Sequence, residues 1–198
     1  MPASARYVAT STLLAYETQA EALLLRIAPT AYATGAPYFR FSQIYRFDSP
    51  AGSFGTLYCA STYKTCFCET LIRDTVGRRV KQSAIDDRSL CFLMCDLSQM
   101  RLVRLYGDSA LNMGLDHAEL VGKDYTATQQ IAQEIHDHPD EPHGMVYQSR
   151  FASPNLAVVL FDRAKPHVAN LPGYLPQPLS SLNALSDAVR SAVKFTTF

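Results

Sequence analysis

Two stretches of this chain carry residue types that could do chemistry together. Residues 45–71 (YRFDSPAGSFGTLYCASTYKTCFCETL) offer Arg46, a tyrosine on a predicted strand, Tyr58, and a carboxylate on the helix predicted to follow, Glu69. Residues 144–162 (GMVYQSRFASPNLAVVLFD) offer the pair Ser149-Arg150 between two predicted strands. Arg26, in the apolar run 23–27, adds another guanidinium. Arginine, aromatic ring, one carboxylate and one hydroxyl form a set able to hold a dinucleotide and break a bond at its sugar.

Each of these residues also has an ordinary structural reading. Arg26 is either a solvated charge ending a strand or a guanidinium gripping phosphate at a cleft mouth. Arg46, between Tyr45 and Phe47, is either stacked on rings at the surface or a second cation for a pyrophosphate. Tyr58 is a core tyrosine or a ring in a cleft wall. Glu69 falls opposite Phe67 and Leu71 on the helix wheel, so a solvent-facing carboxylate paired with Arg73 is the plain expectation. Ser149-Arg150 reads as a polar turn, and no Gly-x-Ser-x-Gly elbow marks a hydrolase nucleophile.

The elements that must position these residues are read from periodicity and punctuation. A helix is predicted over 13–22 and a strand over 23–27, stopped by Pro29. Residues 31–43 read as a loop. A strand over 56–60 leads to a helix capped by Ser61 or Thr62 and running to about residue 74, with Tyr63, Phe67 and Leu71 as its apolar face. Strands follow at 90–97, nearly all apolar and so central, and at 102–106. Asp124 can cap a helix over 126–136, with Ile131 and Ile135 inward. Residues 136–143 (HDHPDEPH) read as an exposed turn. Strands at 145–148 and 156–161, a linker over 171–178 and an amphipathic helix marked by Leu182, Leu185, Val189 and Val193 complete the order. That helix packs on its own domain or serves a partner. Irregular spacing of strands and helices, without Gly-x-Gly-x-x-Gly, predicts a compact α+β domain and not a doubly wound sheet.

Composition narrows the classes. With 198 residues, one domain spanning 1–198 is expected, with a sizeable core. Eighteen basic residues balance eighteen acidic ones, which gives no electrostatic case for nucleic acid as the main partner. No apolar run is long enough to span a bilayer, and the N-terminal region makes a poor signal peptide. Cys59, Cys66, Cys68, Cys91 and Cys95, without Cys-x-x-Cys, read as reduced, buried thiols of a cytoplasmic protein. A cysteine nucleophile has nothing to mark it. His136, His138 and His143 lie in a proline-rich acidic turn without regular ligand spacing, so no metal site is expected.

Taken in order, the pieces resemble the RES domain, a family named for its arginine, glutamate and serine. Leu25-Arg26-Ile27-Ala28-Pro29 is similar to its first arginine motif, and Arg46-Phe47 to its second. Leu57-Tyr58-Cys59-Ala60 running on to Glu69 is similar to the glutamate motif. Tyr125-Thr126-Ala127-Thr128-Gln129 resembles its helix start, and residues 144–161 its serine motif. Where the family has Gly-Gly before the second arginine and Trp-Asn after it, this chain has Ile44-Tyr45 and Phe47-Asp48. The motif-bearing part runs over about 23–162, with 171–198 left as linker and terminal helix.

The resemblance implies an ADP-ribosyltransferase-like mixed sheet with flanking helices. It implies a toxin of a bacterial toxin–antitoxin module, paired with a helix-turn-helix antitoxin. Such a toxin consumes NAD+ by phosphorolysis or hydrolysis, or transfers its ADP-ribose to a protein. No further cofactor is required, and inorganic phosphate is one candidate co-substrate. In that reading Glu69 stabilises the sugar cation and Arg26 and Arg46 hold the pyrophosphate. Tyr58 stacks on nicotinamide, and Ser149 fixes ribose or carboxamide. A catalytically silent module that keeps the fold and binds a partner is the alternative.

Overall fold

The computed structural model describes residues 7–9, 12–18, 22–34, 37–72 and 77–198. The strands are β1 (Leu23–Pro29), β2 (Thr56–Cys59), β3 (Arg79–Val80), β4 (Arg88–Cys95), β5 (Leu102–Leu105), β6 (Gly144–Gln148), β7 (Leu156–Phe161), β8 (Val168–Asn170), β9 (Gln177–Pro178) and β10 (Thr196–Thr197). The α-helices are α1 (Tyr63–Leu71), α2 (Gln82–Asp86), α3 (Gly107–Asn112), α4 (His117–Val121), α5 (Thr126–His136) and α6 (Asn183–Val193). Strands and helices are interspersed in mixed sheets, which is the α+β class expected.

One sheet has the order β2-β7-β6-β5, antiparallel except for the parallel β5–β6 pair. Along β7, Ala157, Val159 and Phe161 enter one core cluster while Val158 and Leu160 enter a second. Both faces are covered, so the strand is apolar throughout and does not alternate. In the other main sheet β4 lies between β1 on one side and β8 and β9 on the other, which confirms its central place. The two sheets meet where Leu25 and Ala60 exchange backbone hydrogen bonds of 2.7 and 2.9 Å. That junction fixes Arg26, in β1, against the chain that leads into α1.

Several expectations are corrected. Residues 12–18 form no helix; residues 19–21 lie outside the described residues. The segment is extended because Glu17 N and Ala15 O bond to Leu102 O and Arg104 N at 2.7 and 2.8 Å, closing the open edge of β5. Arg26 is inside β1 and not at its end, since pairing with β4 carries the strand on to Pro29. His138 is buried in the supposedly exposed turn, its Nε2 bonded to Thr12 O at 3.1 Å. The stretch 171–178 is no free linker: Leu171 N bonds Phe92 O at 2.9 Å, and β9 pairs with β4. Leu185 is exposed, and α6 turns Ser186 and Val189 inward, with Ser186 Oγ 2.9 Å from the Tyr63 hydroxyl. That contact and the shared core place α6 on its own domain.

Helix α1 begins where expected, with Thr62 Oγ1 accepting from Thr65 N at 3.2 Å. It does not behave as a simple amphipathic helix. Thr65, Cys66, Phe67 and Cys68 are all buried in succession, so the helix is enclosed on more than one face. Thr65 lies one turn before Glu69 on the same side, and it is fully buried. The side expected to face water therefore faces protein. Residues 73–76, including Arg73 as partner for Glu69, lie outside the described residues.

Candidate active site

A cavity of about 570 Å³ opens beside α1. Arg26, Arg46, Tyr58 and Glu69 all line it. Four of the five expected site residues thus share one cleft, although they come from β1, the loop before β2, β2 itself and α1. The fifth, Ser149, is not part of the lining. It is 1% exposed and sits behind Glu69.

The Glu69 carboxylate is half-buried, and Ser149 Oγ donates to its Oε1 at 2.5 Å. Ser149 Oγ itself accepts from the amides of Ala152 at 2.9 Å and Phe151 at 3.3 Å. These two donors fix the oxygen, so its single proton points to Glu69. The expected contact from Ser149 to ribose or carboxamide is therefore not offered by this geometry. The serine acts on the glutamate.

Arg46 is 6% exposed, and its Nε and Nη1 have no hydrogen-bond partner. Its guanidinium carbon lies 5.8 Å from the Tyr125 ring centre and 6.0 Å from that of Phe47. Rings contact a cation but satisfy none of its N–H groups, so the donors stay available to an acceptor in the cleft. Gln129, one turn into α5, donates at 3.0 Å to both Gln43 O and Tyr45 O and holds the arginine loop against that helix. The Arg26 side chain makes no hydrogen bond or ion pair among the described residues, while its backbone belongs to the β1–β4 ladder. Burial pushes its guanidinium below the usual value, while Cys59, Cys91, Cys66 and Tyr45 act in the opposite direction.

Tyr58 presents its ring to the cleft and turns its hydroxyl into the protein. The hydroxyl accepts from Phe47 N at 2.9 Å and donates to Asp48 Oδ1 at 3.1 Å. Burial first, and then Asp48, raises its pKa well above the usual phenol value. Tyr147 lies in the same wall, 4.7 Å from Phe47 between ring centres. Burial and the Glu69 carboxylate raise its pKa too, so it is a neutral phenol.

Sequence reasoning missed several lining residues. Arg40, Arg79, Lys81 and Arg88 join Arg26 and Arg46, giving six cationic side chains against the single carboxylate of Glu69. None of the six has an ion-pair partner among the described residues. Parallel pairing of β3 with β10 brings Arg79 and Phe198 to the rim, the guanidinium 4.4 Å above the ring. That pairing joins residues over a hundred positions apart, so no local signal foretold it. The density of basic residues in 78–88 was the available hint.

Other candidates resolve into structural roles. Arg150 donates through Nη1 to Gly122 O at 2.6 Å and Val121 O at 3.2 Å, tying down the end of α4. His136 stacks on Phe54 at 4.3 Å between ring centres, and His143 Nδ1 accepts from Arg101 N at 3.3 Å. All five cysteines are free and buried. Burial pushes the thiols of Cys68 and Cys95 up to about 11 and that of Cys66 to about 12, the reverse of what a thiolate nucleophile needs.

Comparisons with known proteins agree with this picture. The family model described as RES domain matches residues 23–180, reaching beyond the motifs to take in β8 and β9. A chain of the M. tuberculosis MbcT–MbcA toxin–antitoxin complex has the same fold, with a TM-score of 0.64 at 13% identity, over 85% of this chain and 88% of that one. That likeness extends over most of both chains and shows that the two share one α+β fold. No curated protein matches the sequence. Among the described residues, no helix is long and apolar enough to cross a membrane.

Proposed function

This chain belongs to the RES-domain family, and from that membership and the cleft we propose that it is the NAD+-consuming toxin of a toxin–antitoxin pair. The reaction is rupture of the bond between nicotinamide and ribose. The observation that carries this reading is a single carboxylate, Glu69, braced by Ser149 at 2.5 Å in a cavity whose other charged lining residues are all cations. The complex in which the structural neighbour was solved is a toxin–antitoxin complex, which supports an antitoxin partner here. In this reading that partner is a helix-turn-helix protein.

The chemistry matches the residues available. Nicotinamide in NAD+ is a pyridinium, and it departs as a neutral ring carrying the C–N bonding pair. Protonation of the leaving group is unnecessary, so the carboxylate pair of an ordinary glycosidase is not needed. What is needed is stabilisation of positive charge at ribose C1′. Glu69 accepts a hydrogen bond from the ribose 2′-hydroxyl and faces the developing cation, while Ser149 keeps the carboxylate from swinging away. Arg26 and Arg46 bind the pyrophosphate with donors that have no other partner. The Tyr58 ring stacks on the nicotinamide. Inorganic phosphate, water or a protein side chain then bonds to C1′ and gives up a proton.

The test is incubation of the purified chain with adenylate-labelled NAD+ and inorganic phosphate. Nicotinamide is released. The labelled product then identifies the acceptor: ADP-ribose for water, its 1-phosphate for phosphate, a labelled protein for transfer. NAD+ left intact over hours at micromolar enzyme contradicts the reading.

A further inference from the structure

We propose that Asp48 is a positioning residue for the binding wall: its carboxylate folds residues 42–48 into the bracket that aims Arg46 into the cleft and fixes Tyr58 beside it. Asp48 is 0% exposed and has no cationic partner among the described residues. A buried carboxylate without a counter-charge is costly unless its lone pairs are met by donors. Here five donors meet them. Oδ2 accepts from the Ser42 hydroxyl, from Ile44 N at 3.2 Å and from Tyr45 N at 2.9 Å. Oδ1 accepts from Thr56 Oγ1 at 2.7 Å and from the Tyr58 hydroxyl at 3.1 Å.

The consequence is geometric. Tyr45, Arg46, Thr56 and Tyr58 all line the cavity, and three of these four bond directly to Asp48. Arg46 lies between two residues that are so held, Tyr45 and Phe47, the latter through the Tyr58 hydroxyl. Because Asp48 forms no ion pair with Arg46, it orders the loop without occupying the donors that a phosphate would use. The carboxylate acts through Arg46 and Tyr58 and does not meet the ligand.

The ligand's identity rests on the function proposed above; the bracket does not. Wild type, Asp48→Asn and Asp48→Ala are compared by calorimetry with ADP-ribose, by steady-state NAD+ kinetics and by amide hydrogen exchange. The alanine variant raises Kd and KM by about tenfold or more with kcat within about threefold, because binding donors are misplaced while Glu69 and Ser149 are not. The asparagine variant stays within about threefold of wild type in all three constants. Its Oδ1 still accepts from the Ile44 and Tyr45 amides, and its Nδ2 donates to the Thr56 and Tyr58 hydroxyls. Amides of Ile44, Tyr45 and Phe47 exchange faster in the alanine variant alone. Unchanged exchange there, wild-type affinity there, or an asparagine variant as weak as the alanine one overturns the proposal. If the alanine variant does not fold, Thr56→Val removes one donor, and unchanged ADP-ribose affinity in that variant overturns it equally. A wild-type protein that ignores NAD+ and ADP-ribose removes the proposed function, and the exchange data still decide the bracket.

Discussion

Ser149 has one proton and three neighbours. Two backbone amides donate to its oxygen, and the proton goes to Glu69. Replacing it by alanine leaves Glu69 without its brace and leaves the amides of Phe151 and Ala152 unmet. Ser149→Ala therefore lowers nicotinamide release about tenfold and costs about 1–3 kcal/mol of stability, read by steady-state rates and thermal melting. An unchanged rate removes the serine from the mechanism. The identity of this residue was legible from the resemblance, but its role was not. Whether a hydroxyl meets a ligand or a neighbouring carboxylate depends on the chain direction after residue 149, and only coordinates give that. For Glu69 the helix wheel pointed to water, because a wheel knows the helix and not what packs around it. Arg46 was legible as a cation beside rings. The lack of partners for Nε and Nη1, which leaves those donors open to an acceptor in the cleft, was not.

At the scale of elements, local signals served well where an element is built from local contacts. The Thr62 cap, the inward Ile131 and Ile135 of α5, and the apolar run of β7 all follow from residue type and spacing. They failed where a distant partner decides. Residues 12–18 have a helical pattern but satisfy the edge of β5, and β3 exists only because β10 lies beside it. The site also draws on β6, which carries Tyr147 and ends just before Ser149. Gly144 opens that strand, and a Cβ there would lie 2.3 Å from Val159 O on β7. Backbone cannot yield as a side-chain tip can, so Gly144→Ala forces β6 away from β7. The expected result is a Tm about 5–10 °C lower, together with reduced nicotinamide release as Tyr147 and Ser149 shift. A melting curve identical to wild type shows that the strand tolerates the added methyl and that the site is not tied to this contact.

The whole molecule has no net charge, yet the cavity beside α1 gathers six cations around one carboxylate. Overall composition conceals that asymmetry, because the balancing acids are used elsewhere: Asp48 and Glu134 accept backbone amides, and Asp187 pairs with Arg190. Clustered, unpaired cations favour an anionic ligand, and a lone braced carboxylate among them favours chemistry on a cationic leaving group. The fold class was readable from the mixed order of elements, and the family from five short motifs in sequence. The outer cations of the cleft were not: pairing of residues 79–80 with 196–197 delivers Arg79, a bridge to Thr56 delivers Arg40, and the start of β4 delivers Arg88. In the proposed function the carboxylate of Glu69 drives loss of nicotinamide. Glu69→Gln keeps the side chain's size and removes its charge. Measured as nicotinamide released from saturating NAD+ by folded protein, the rate should fall about 10²–10³-fold while ADP-ribose affinity changes little. A glutamine variant that releases nicotinamide at the wild-type rate rules out this role for Glu69.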